Sequence, residues 1–520
     1  MLDANDSFLA HAAQDIALIA LSLALLPLDT FIVCFSYVVT YFYPMQAVQH
    51  RRRVRGTNTP YFEPKTILVT GVGMTKGLAL ARLFHAAGHH VIGADFEPTY
   101  MPVACGRMSR ALKVFYKMSK PDGSHDKSAR YTQELLRIIQ HEQVDMWVSC
   151  SGVASAVEDG MAKEMVELVS KCKCVQYDVA TTKKLHEKHS FMDYTQSLGL
   201  TIPETFTVTS KAAALNFLDE ANGKDKRYVL KYIGTDDAVR GDMTLLPLSS
   251  PAQTKAHISR MEISEERPWI LQQFIRGPEY CTHALVVKGE VKAFVACPSS
   301  ELLMHYEALP SHSSLSMSML RFTQEFAAAS GPTFTGHLSF DFLVEKGDAE
   351  KAARDSTANV TLYPIECNPR AHTAVCLFND TPEMIDGYLS LIEHKSTAIT
   401  SSNEEAAVPV TNGLAPQPIF PNKQSKKYYW IGHDLIELVI SPLLSITSAH
   451  GPSFVELFES MTTFLEHVLW WQDGTFEFWD PLPAWWLYHV YWPAQVLMAL
   501  GGRRKWSRVN VSTCKMFMCE

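Results

Sequence analysis

The sequence predicts an α/β protein with two folded units, an alternating strand–helix domain followed by an α+β domain, and an apolar segment near each end. Residues 65–95 (KTILVTGVGMTKGLALARLFHAAGHHVIGAD) have the pattern strand, glycine-rich turn, helix, strand. Residues 336–345 (GHLSFDFLVE) and 363–374 (YPIECNPRAHTA) predict two strands that carry acidic side chains. The chain has 520 residues, which is enough for two or three domains.

The first predicted element is a membrane-anchoring segment with a basic linker, over residues 1–60. Ile16 to Tyr43 is almost continuously apolar and long enough, at about 1.5 Å per residue, to cross a hydrocarbon core of roughly 30 Å. Pro27 and Asp29 interrupt it, so a kinked single span and a re-entrant hairpin both remain open. Basic residues follow and, by the positive-inside rule, place the downstream domains in the cytosol. They are Arg51, Arg52, Arg53 and Arg55.

The second predicted element, over residues 61–178, is a Rossmann-like domain. Its first turn holds Gly71, Gly73 and Gly77, and Asp95 ends the next strand, a pattern similar to a dinucleotide-binding fingerprint. The spacing is G-x-G-x-x-x-G, which favours a domain that keeps the tight turn but binds no nicotinamide. The alternative is a membrane-tethered NAD(P) oxidoreductase, which would leave the acidic strands unexplained.

The two acidic strands predict a magnesium site. Large apolar residues alternate with Asp341 on the first strand, and Glu366, Asn368 and Arg370 share one face of the second. Polar groups on a buried strand cost several kcal/mol unless they have partners. Carboxylate and amide oxygens are the ligands that Mg²⁺ prefers, and an arginine fork suits a phosphate. The pattern therefore predicts phosphoryl chemistry on ATP.

Upstream residues fit the same nucleotide. Lys231 lies on a strand just before the loop at 233–242, and Lys188 lies on the preceding helix, so both could reach phosphates. Glu279, just after the Gly277–Pro278 turn, could accept hydrogen bonds from ribose hydroxyls. An apolar segment before that turn could line an adenine pocket, and its residues are Gln272, Gln273, Phe274 and Ile275.

The ordered set Lys188, Lys231, QQFIRGPEY, FDFLV and IECNPR resembles the ATP-grasp superfamily over about residues 66–395. The resemblance implies a pre-ATP-grasp domain at 61–178 and an ATP-grasp domain at 179–393. It also implies that both lysines bind phosphates and that the segment from Gln272 forms the adenine hinge. ATP would be bound with two Mg²⁺ ions, for which Mn²⁺ could substitute. Lys231 and Arg370 would be the catalytic residues.

A closer resemblance is to the mycosporine-glycine synthase type of ligase. It is carried by TGVGMTKGLALARLFHAAGH, GPEYCTHALV, ACPSSELL, YPIECNPRAHTAV and WDPLPAWWLYH. It implies that an amino acid, glycine favoured, is joined to 4-deoxygadusol through a phosphorylated enol, with ADP and phosphate released. The open alternative is an ATP-grasp carboxylate–amine ligase of secondary metabolism that forms an amide through an acyl phosphate. A non-catalytic scaffold is disfavoured, because it would have no need for the intact set of polar residues.

Acceptor residues are predicted from position. The loop at 150–159 (CSGVASAVED) follows a parallel strand, where open α/β sheets bind ligands, which makes Ser151 and Glu158 candidates. His372, beside Arg370, is a third candidate for contact with the small-molecule acceptor.

The rest of the chain bears on location and partners. Residues 394–427 predict a flexible linker, and 428–520 a helical, aromatic-rich region. Its segment 476–500, followed by Arg503 and other basic residues, fits a membrane interface or a domain-packing helix. A net charge of −8 without a basic stripe argues against nucleic acid as a partner. The eleven scattered cysteines predict reduced cytosolic thiols, and a homo-oligomer is compatible with the sequence.

Overall fold

A computed structural model describes residues 6–43, 48–51, 62–98, 101–150, 152, 155–221, 226–232, 244–299, 304–392, 417–422, 426–445 and 451–519. It has a mixed α/β fold, as the sequence predicts. Several predictions lie outside the described residues: the loop at 233–242, Ser151, three of the four arginines after the apolar segment, and most of the linker at 394–427.

The first domain is built on a five-stranded parallel sheet with strand order β3-β2-β1-β4-β5. The predicted strand, turn, helix and strand at its start are all present. The sheet's strands are β1 (Thr66–Thr70), β2 (His90–Phe96), β3 (Leu112–Met118), β4 (Met146–Ser149) and β5 (Lys173–Val175). Because the strand order reverses between β1 and β4, the crevice at the carboxyl ends of these two strands is where such a sheet binds ligands.

Helices cover both faces of this sheet. Helix α2 (Thr75–Ala86) is buried along nearly its whole length, and a Schellman-like end at Gly88, with φ of +98°, returns the chain to β2. Helices α3 (His125–Glu142) and α4 (Ala156–Val169) pack on the opposite face. The α2 face forms one core with residues of the later sheet and of the C-terminal region, so these parts share a continuous apolar interior.

A small antiparallel sheet follows, with strand order β6-β8-β7 and its own core. The sequence predicts one amphipathic helix before it, and the structure has two, which meet at the extended residue Glu187. The elements are α5 (Val179–His186), α6 (Lys188–Ser197), β6 (Thr205–Val208), α7 (Lys211–Ala221), β7 (Tyr228–Tyr232), α8 (Pro251–Ser259) and β8 (Trp269–Gln273).

A four-stranded antiparallel sheet, with order β10-β9-β11-β12, carries the two acidic strands side by side. One face packs its aromatic residues on α9, as the alternation predicts, and the other face carries the polar groups. The elements are β9 (Glu279–Val287), β10 (Glu290–Ser299), α9 (Ser314–Ser330), β11 (Gly336–Leu343), α10 (Lys346–Arg354), β12 (Tyr363–Asn368), a 3₁₀ turn (Thr373–Phe378) and α11 (Met384–Leu389).

The described end of the predicted flexible linker is ordered against this sheet. Ile419 forms a parallel bridge with Ala293 of β10, and its backbone exchanges hydrogen bonds with Lys292 and Phe294. Within the predicted linker, Ile419 is therefore joined to the edge strand β10.

The C-terminal region is only partly helical. Two short parallel strands and a terminal hairpin accompany the predicted helices. The elements are β13 (Tyr428–Tyr429), α12 (Ile431–Asp434), a π-helical turn (Leu435–Ile440), α13 (Ser441–Ser445), α14 (Phe454–Trp470), β14 (Gln472–Asp473), α15 (Leu482–Trp486), a second π-helical turn (Leu487–Tyr491), α16 (Trp492–Gly501), β15 (Trp506–Asn510) and β16 (Lys515–Met518).

The N-terminal segment is a single helix, α1 (Phe8–Phe42), with Pro27 inside it, so the chain does not turn back as a hairpin. By length and composition α1 could cross a membrane. Asp15, Ser22 and Asp29 recur every seven residues, which is about two turns, and all three bind the C-terminal region. Their partners are Trp506 at 2.8 Å for Asp15 and the two ring nitrogens of His489 for Ser22 (3.0 Å) and Asp29 (2.8 Å).

Candidate active site

Asp341 and Glu366 occupy directly opposite positions on β11 and β12. Directly paired residues of antiparallel strands project from the same face, so the two carboxylates face the same cleft. Asn368 lies two residues further along this face and donates from Nδ2 to Asp341 at 3.1 Å. The Arg370 guanidinium donates in turn to Oδ1 of Asn368 at 2.8 Å. The structure therefore brings together the four side chains that the sequence assigns to metal and phosphate.

The pKa shifts in this group indicate that its carboxylates are not fully neutralised by the positive charges around them. Burial in the cleft and, to a lesser extent, the nearby carboxylates of Glu366 and Glu279 together raise the pKa of Asp341 to about 7. Burial also lowers the pKa of Arg370 from its ordinary value. The carboxylates thus repel one another, and a divalent cation would relieve that repulsion.

Two buried polar atoms at the site support a bound ligand. Nε of Arg370 and Oγ of Ser339, on the face shared with Asn368, have no hydrogen-bond partner among the described residues. Buried polar groups in folded proteins nearly always have partners, so both atoms fit a group that binds here. The donor set of two carboxylates and one amide oxygen suits Mg²⁺.

The two predicted lysines reach the cleft from different elements. Lys188, the first residue of α6, lies 3.1 Å from Glu366, with Nζ against Oε2. Lys231, on β7, donates to Oε1 of Gln272 at 2.7 Å. Burial and, after it, the charge of Lys188 lower the pKa of Lys231 to about 8, whereas Glu366 acts in the opposite direction. The two ammonium groups and the carboxylates therefore belong to one electrostatic cluster.

The predicted adenine hinge connects the small sheet to the larger one. The backbone amides of Gln273 and Phe274 donate to the carbonyls of Glu204 and Arg227, at 2.8 and 2.7 Å. These two amides are therefore used within the sheet, and a purine would have to meet carbonyl groups or side chains of Gln272–Ile275. Ile275 is buried and Phe274 is partly exposed.

Glu279 begins β9 at the same end of the cleft, where Oε1 accepts a hydrogen bond from Ser299 at 2.9 Å. The turn before it passes very close to the neighbouring chain. A Cβ on Gly277 would overlap the carbonyl oxygen of Val344, so only glycine allows this approach.

Lys76 is a residue that the sequence analysis missed. It lies at the start of α2, is 1% exposed, and is close enough to Arg370 for the two charges to interact. Burial and, after it, the charge of Arg370 lower the pKa of Lys76 to about 7, while Cys150, Asp159 and Asp95 act in the opposite direction. No pattern in the sequence marks Lys76 as a site residue. It lies in a glycine-rich turn, six residues before Arg82, a buried arginine of the same helix.

The two predicted acceptor residues that the structure describes, His372 and Glu158, have different surroundings. His372 precedes the 3₁₀ turn, and burial with the charges of Arg370 and Lys76 lowers its pKa to about 3, so its imidazole is neutral. Glu158 instead lies 3.4 Å from Ser128 on α3. Its neighbour Asp159, bound to Ser149 at 2.9 Å, is one of the two acids whose charge acts on Lys76.

The glycine-rich turn is closed by the protein itself. Oδ2 of Asp95 accepts a hydrogen bond from the Gly73 amide at 2.5 Å, and the thiols of Cys105 and Cys514 each donate to the Gly73 carbonyl at 3.1 Å. In a dinucleotide site the acid at this position would bind a ribose. Here the Asp95 carboxylate is hydrogen-bonded within the turn itself.

Comparisons with known proteins give similarity to solved structures only. No family model matches the chain, and no curated protein matches it. One similar structure is an ADP complex of N5-carboxyaminoimidazole ribonucleotide synthetase, 13% identical, with a TM-score of 0.41 over 64% of this chain and 78% of that one. Another is the L-amino acid ligase from Bacillus licheniformis, 13% identical, with a TM-score of 0.37 over 59% and 68%. N5-carboxyaminoimidazole synthetase from Staphylococcus aureus is also 13% identical, with a TM-score of 0.41 over 63% and 77%.

Proposed function

We propose that the protein is an ATP-dependent ligase that forms a carbon–nitrogen bond. The observation that carries this proposal is the pairing of Asp341 with Glu366 on adjacent strands, with two lysines and Arg370 around them. Carboxylates and cations in this arrangement suit a nucleotide triphosphate with its metal, and the ATP-grasp motifs in the sequence indicate the same chemistry.

Lys188 and Lys231 would bind the phosphates of ATP, and Glu279 the ribose. Asp341, Glu366 and Asn368 would hold Mg²⁺, which when bound neutralises charge that develops on the transferring phosphoryl group. Lys188 would exchange its present partner Glu366 for a phosphate oxygen. Gln272, which accepts from Lys231, keeps that ammonium group pointed into the cleft. These residues act mainly by positioning and charge neutralisation.

The acceptor would lie between the first domain and the large sheet. Lys76 and Arg370 provide two cationic groups there, and His372 offers a neutral imidazole. An oxygen of the acceptor attacks the γ-phosphorus, the bond to the bridging oxygen breaks, and ADP leaves. The nitrogen of an amino acid then attacks the activated carbon, phosphate leaves with its oxygen, and the amine loses a proton. Acceptor plus amine minus water remains.

The finer assignment is an enol acceptor, 4-deoxygadusol, joined to an amino acid with glycine favoured. The resemblance of five sequence motifs to mycosporine-glycine synthase-type ligases supports it. Amide formation from a carboxylate through an acyl phosphate uses the same ATP site. Mass spectrometry of the product separates the two, after incubation of purified protein with ATP, Mg²⁺, 4-deoxygadusol and a panel of amino acids.

The decisive variant replaces both Glu366 and Asn368 with alanine. We expect ATP-dependent ligation to fall by at least about 100-fold, because two of the three metal-binding oxygens are lost. Full retention of activity would contradict the metal assignment. ADP release with a carboxylate but not with 4-deoxygadusol would keep the ligase and replace the acceptor.

We also propose that the protein is attached to a membrane, with its folded domains in the cytosol. The C-terminal region binds α1 as far as Thr40, which donates to the Phe478 carbonyl, and also Asp6 just before the helix, whose carbonyl accepts from Lys505. Its other side exposes a row of large apolar residues, and α14 exposes a second row. These residues are Ile16, Leu23, Leu28, Phe31, Phe35, Val38, Phe454, Val455, Phe458, Leu465, Leu469 and Trp470.

This arrangement favours attachment of α1 at one surface of the membrane over a single helix that crosses the bilayer. A helix that is bound to a folded domain along about 50 Å of its length cannot cross a bilayer without carrying that domain with it. An amphipathic surface of α1 and α14 could instead be immersed in the interface. The pairing of Asp29 with His489 removes the cost of a lone carboxylate in this position.

A further inference from the structure

Three side chains from separate segments meet in the C-terminal region, away from the ATP cleft. Asp434, the last residue of α12, is fully buried. Nε2 of His305 lies 2.9 and 3.2 Å from its two carboxylate oxygens, and Nδ1 of His467 on α14 lies 2.6 Å from Oδ2. One donor atom from each residue lies within 4.8 Å of the others.

The donor types indicate which cation would fit. Two imidazole nitrogens and one carboxylate oxygen form a set that binds divalent transition metals, whereas Mg²⁺ and Ca²⁺ prefer oxygen alone. Donor atoms that share a Zn²⁺ at about 2.0–2.1 Å lie roughly 3.3 Å apart in a tetrahedron. The atoms at Asp434 are slightly closer than this, so a small outward movement of the rings would admit the ion.

The surroundings have the features of a supported metal site. Nδ1 of His433 lies 3.3 Å from Oδ1 of Asp434 and can help to orient the carboxylate. Trp471 packs against both ligand rings, at 4.3 Å from His467 and 5.6 Å from His305 between ring centroids. Asp434 is followed directly by a π-helical turn, a local irregularity that is frequent at functional sites.

We propose that His305, Asp434 and His467 bind one divalent transition-metal ion of the Zn²⁺ class, with a fourth position open to water. His305 is one-third exposed and gives the ion a route from solvent. The other two ligands are buried, and the helices that carry them fix their geometry. This site is separate from the Mg²⁺ site of the proposed ligase and does not depend on it.

The ion would connect the C-terminal helices to the ATP-grasp part of the chain. His305 is followed by Tyr306, which pairs with Tyr428 through two backbone hydrogen bonds of 2.8 Å. The Tyr306 ring also packs against His372, with ring centroids 5.9 Å apart, and His372 lies two residues from Arg370. An ion at Asp434 would therefore fix the segment that supports the acceptor side of the cleft.

The first test measures metal binding by the full-length, tag-free protein in detergent after chelator treatment. Excess Mg²⁺ is present throughout, so that the carboxylates of the ATP cleft are occupied. Titration with Zn²⁺ should give one equivalent bound, and Co²⁺ should give the visible absorption of a four-coordinate site with nitrogen ligands. No binding by the wild-type protein would overturn the proposal and leave a hydrogen-bonded His–Asp–His group.

The second test uses single substitutions at the ligands. His305→Gln and His467→Gln should each weaken Zn²⁺ binding at least about 100-fold and abolish the Co²⁺ spectrum. His312→Gln is the matched control, since it is exposed and lies seven residues after His305. His305→Gln alters a partly exposed side chain, so it is the variant expected to fold normally. Unchanged Co²⁺ spectra in both ligand variants would place the ion elsewhere and overturn the proposal.

Discussion

Arg82 and Asp480 form a buried ion pair between α2 of the first domain and the loop before α15, 398 residues apart in the sequence. Nε of Arg82 lies 2.9 Å from Oδ2 of Asp480, whose side chain is completely buried. The same carboxylate accepts from the Ser109 hydroxyl at 2.6 Å and from the Arg110 amide at 2.8 Å. The C-terminal region is thereby joined to the first domain by a fully hydrogen-bonded charge.

Asp480→Asn should therefore destabilise the protein. The substitution leaves the Arg82 guanidinium buried without its counter-charge, which typically costs about 3–5 kcal/mol. Denaturant unfolding followed by fluorescence measures the change. Asp122→Asn serves as the control, because Asp122 pairs with Lys127 at an exposed position where such pairs contribute at most about 1 kcal/mol. Equal effects of the two substitutions would show that Asp480 is dispensable.

Mg²⁺ binding should depend on pH near neutrality. Because burial and neighbouring carboxylates raise the pKa of Asp341 to about 7, the folded protein holds a proton there that the unfolded chain releases near pH 4. The stability that this proton provides is complete below pH 4 and is lost as the pH rises through 7. Apparent Mg²⁺ affinity should rise about tenfold per pH unit up to pH 7 and then level off.

The matched variant for this prediction is Asp341→Asn. It should bind Mg²⁺ weakly at every pH and lose the dependence near pH 7, while its melting temperature without Mg²⁺ at pH 8 should rise by about 2 °C or more. Isothermal titration and thermal unfolding measure the two effects. An unchanged pH profile in the variant would assign the titration to another group.

Nucleotide affinity should fall on the alkaline side. Burial and the charge of Lys188 lower the pKa of Lys231 to about 8, so its ammonium group is lost above that pH, as is its attraction to phosphate. Lys188→Met removes one of the two causes and should move this alkaline limb to higher pH, although overall affinity falls. ATP binding measured from pH 7 to 10 tests the shift. An alkaline limb that does not move would show that the charge of Lys188 does not lower the pKa of Lys231.

Lys76→Met should weaken binding of the acceptor more than binding of ATP. The proposed role predicts that KM for the acceptor rises by at least about tenfold while KM for ATP changes little, because the ammonium group acts on the acceptor side of Arg370. Lys76→Arg, which keeps the charge, should recover part of the loss. A parallel rise in both KM values would indicate a general structural role for the buried lysine.

The exposed side of α1 should govern membrane binding. Phe31→Glu combined with Phe35→Glu replaces two stacked, exposed rings, each of which contributes about 1.5–3 kcal/mol when buried in an apolar phase. Flotation with phospholipid vesicles should fall by at least about tenfold. Activity and melting temperature in detergent should stay unchanged. Met165→Glu on α4 is the control for an exposed apolar residue outside this surface, and it should float like the wild type.

The local patterns of the sequence predicted much of the fold and the grouping of polar side chains around Asp341. The alternation around Asp341 predicted its face, because strand periodicity alone determines on which side a residue projects. The glycine-rich turn predicted β1, α2 and β2 for the same kind of reason. The break between α5 and α6 was missed, since nothing in the sequence near Glu187 is typical of a helix end.

Sequence patterns could not predict the long-range contacts. Lys76, Asp159 and Arg370 come from distant segments, and only the packing of the first domain on the large sheet makes their charges interact. The same holds for His305, Asp434 and His467, whose spacing matches no familiar ligand pattern. The hairpin at the C-terminus was missed because its short strands are surrounded by aromatic helical sequence.

The contacts of α1 also constrain the order in which parts of the chain can fold. Asp29 is synthesised 460 residues before its partner His489. At about 5–20 residues per second, translation of that interval takes roughly 20–90 s. During this interval Asp15, Ser22 and Asp29 lack their partners in the C-terminal region. Helix α1 can therefore dock only after the domains between it and His489 have been synthesised.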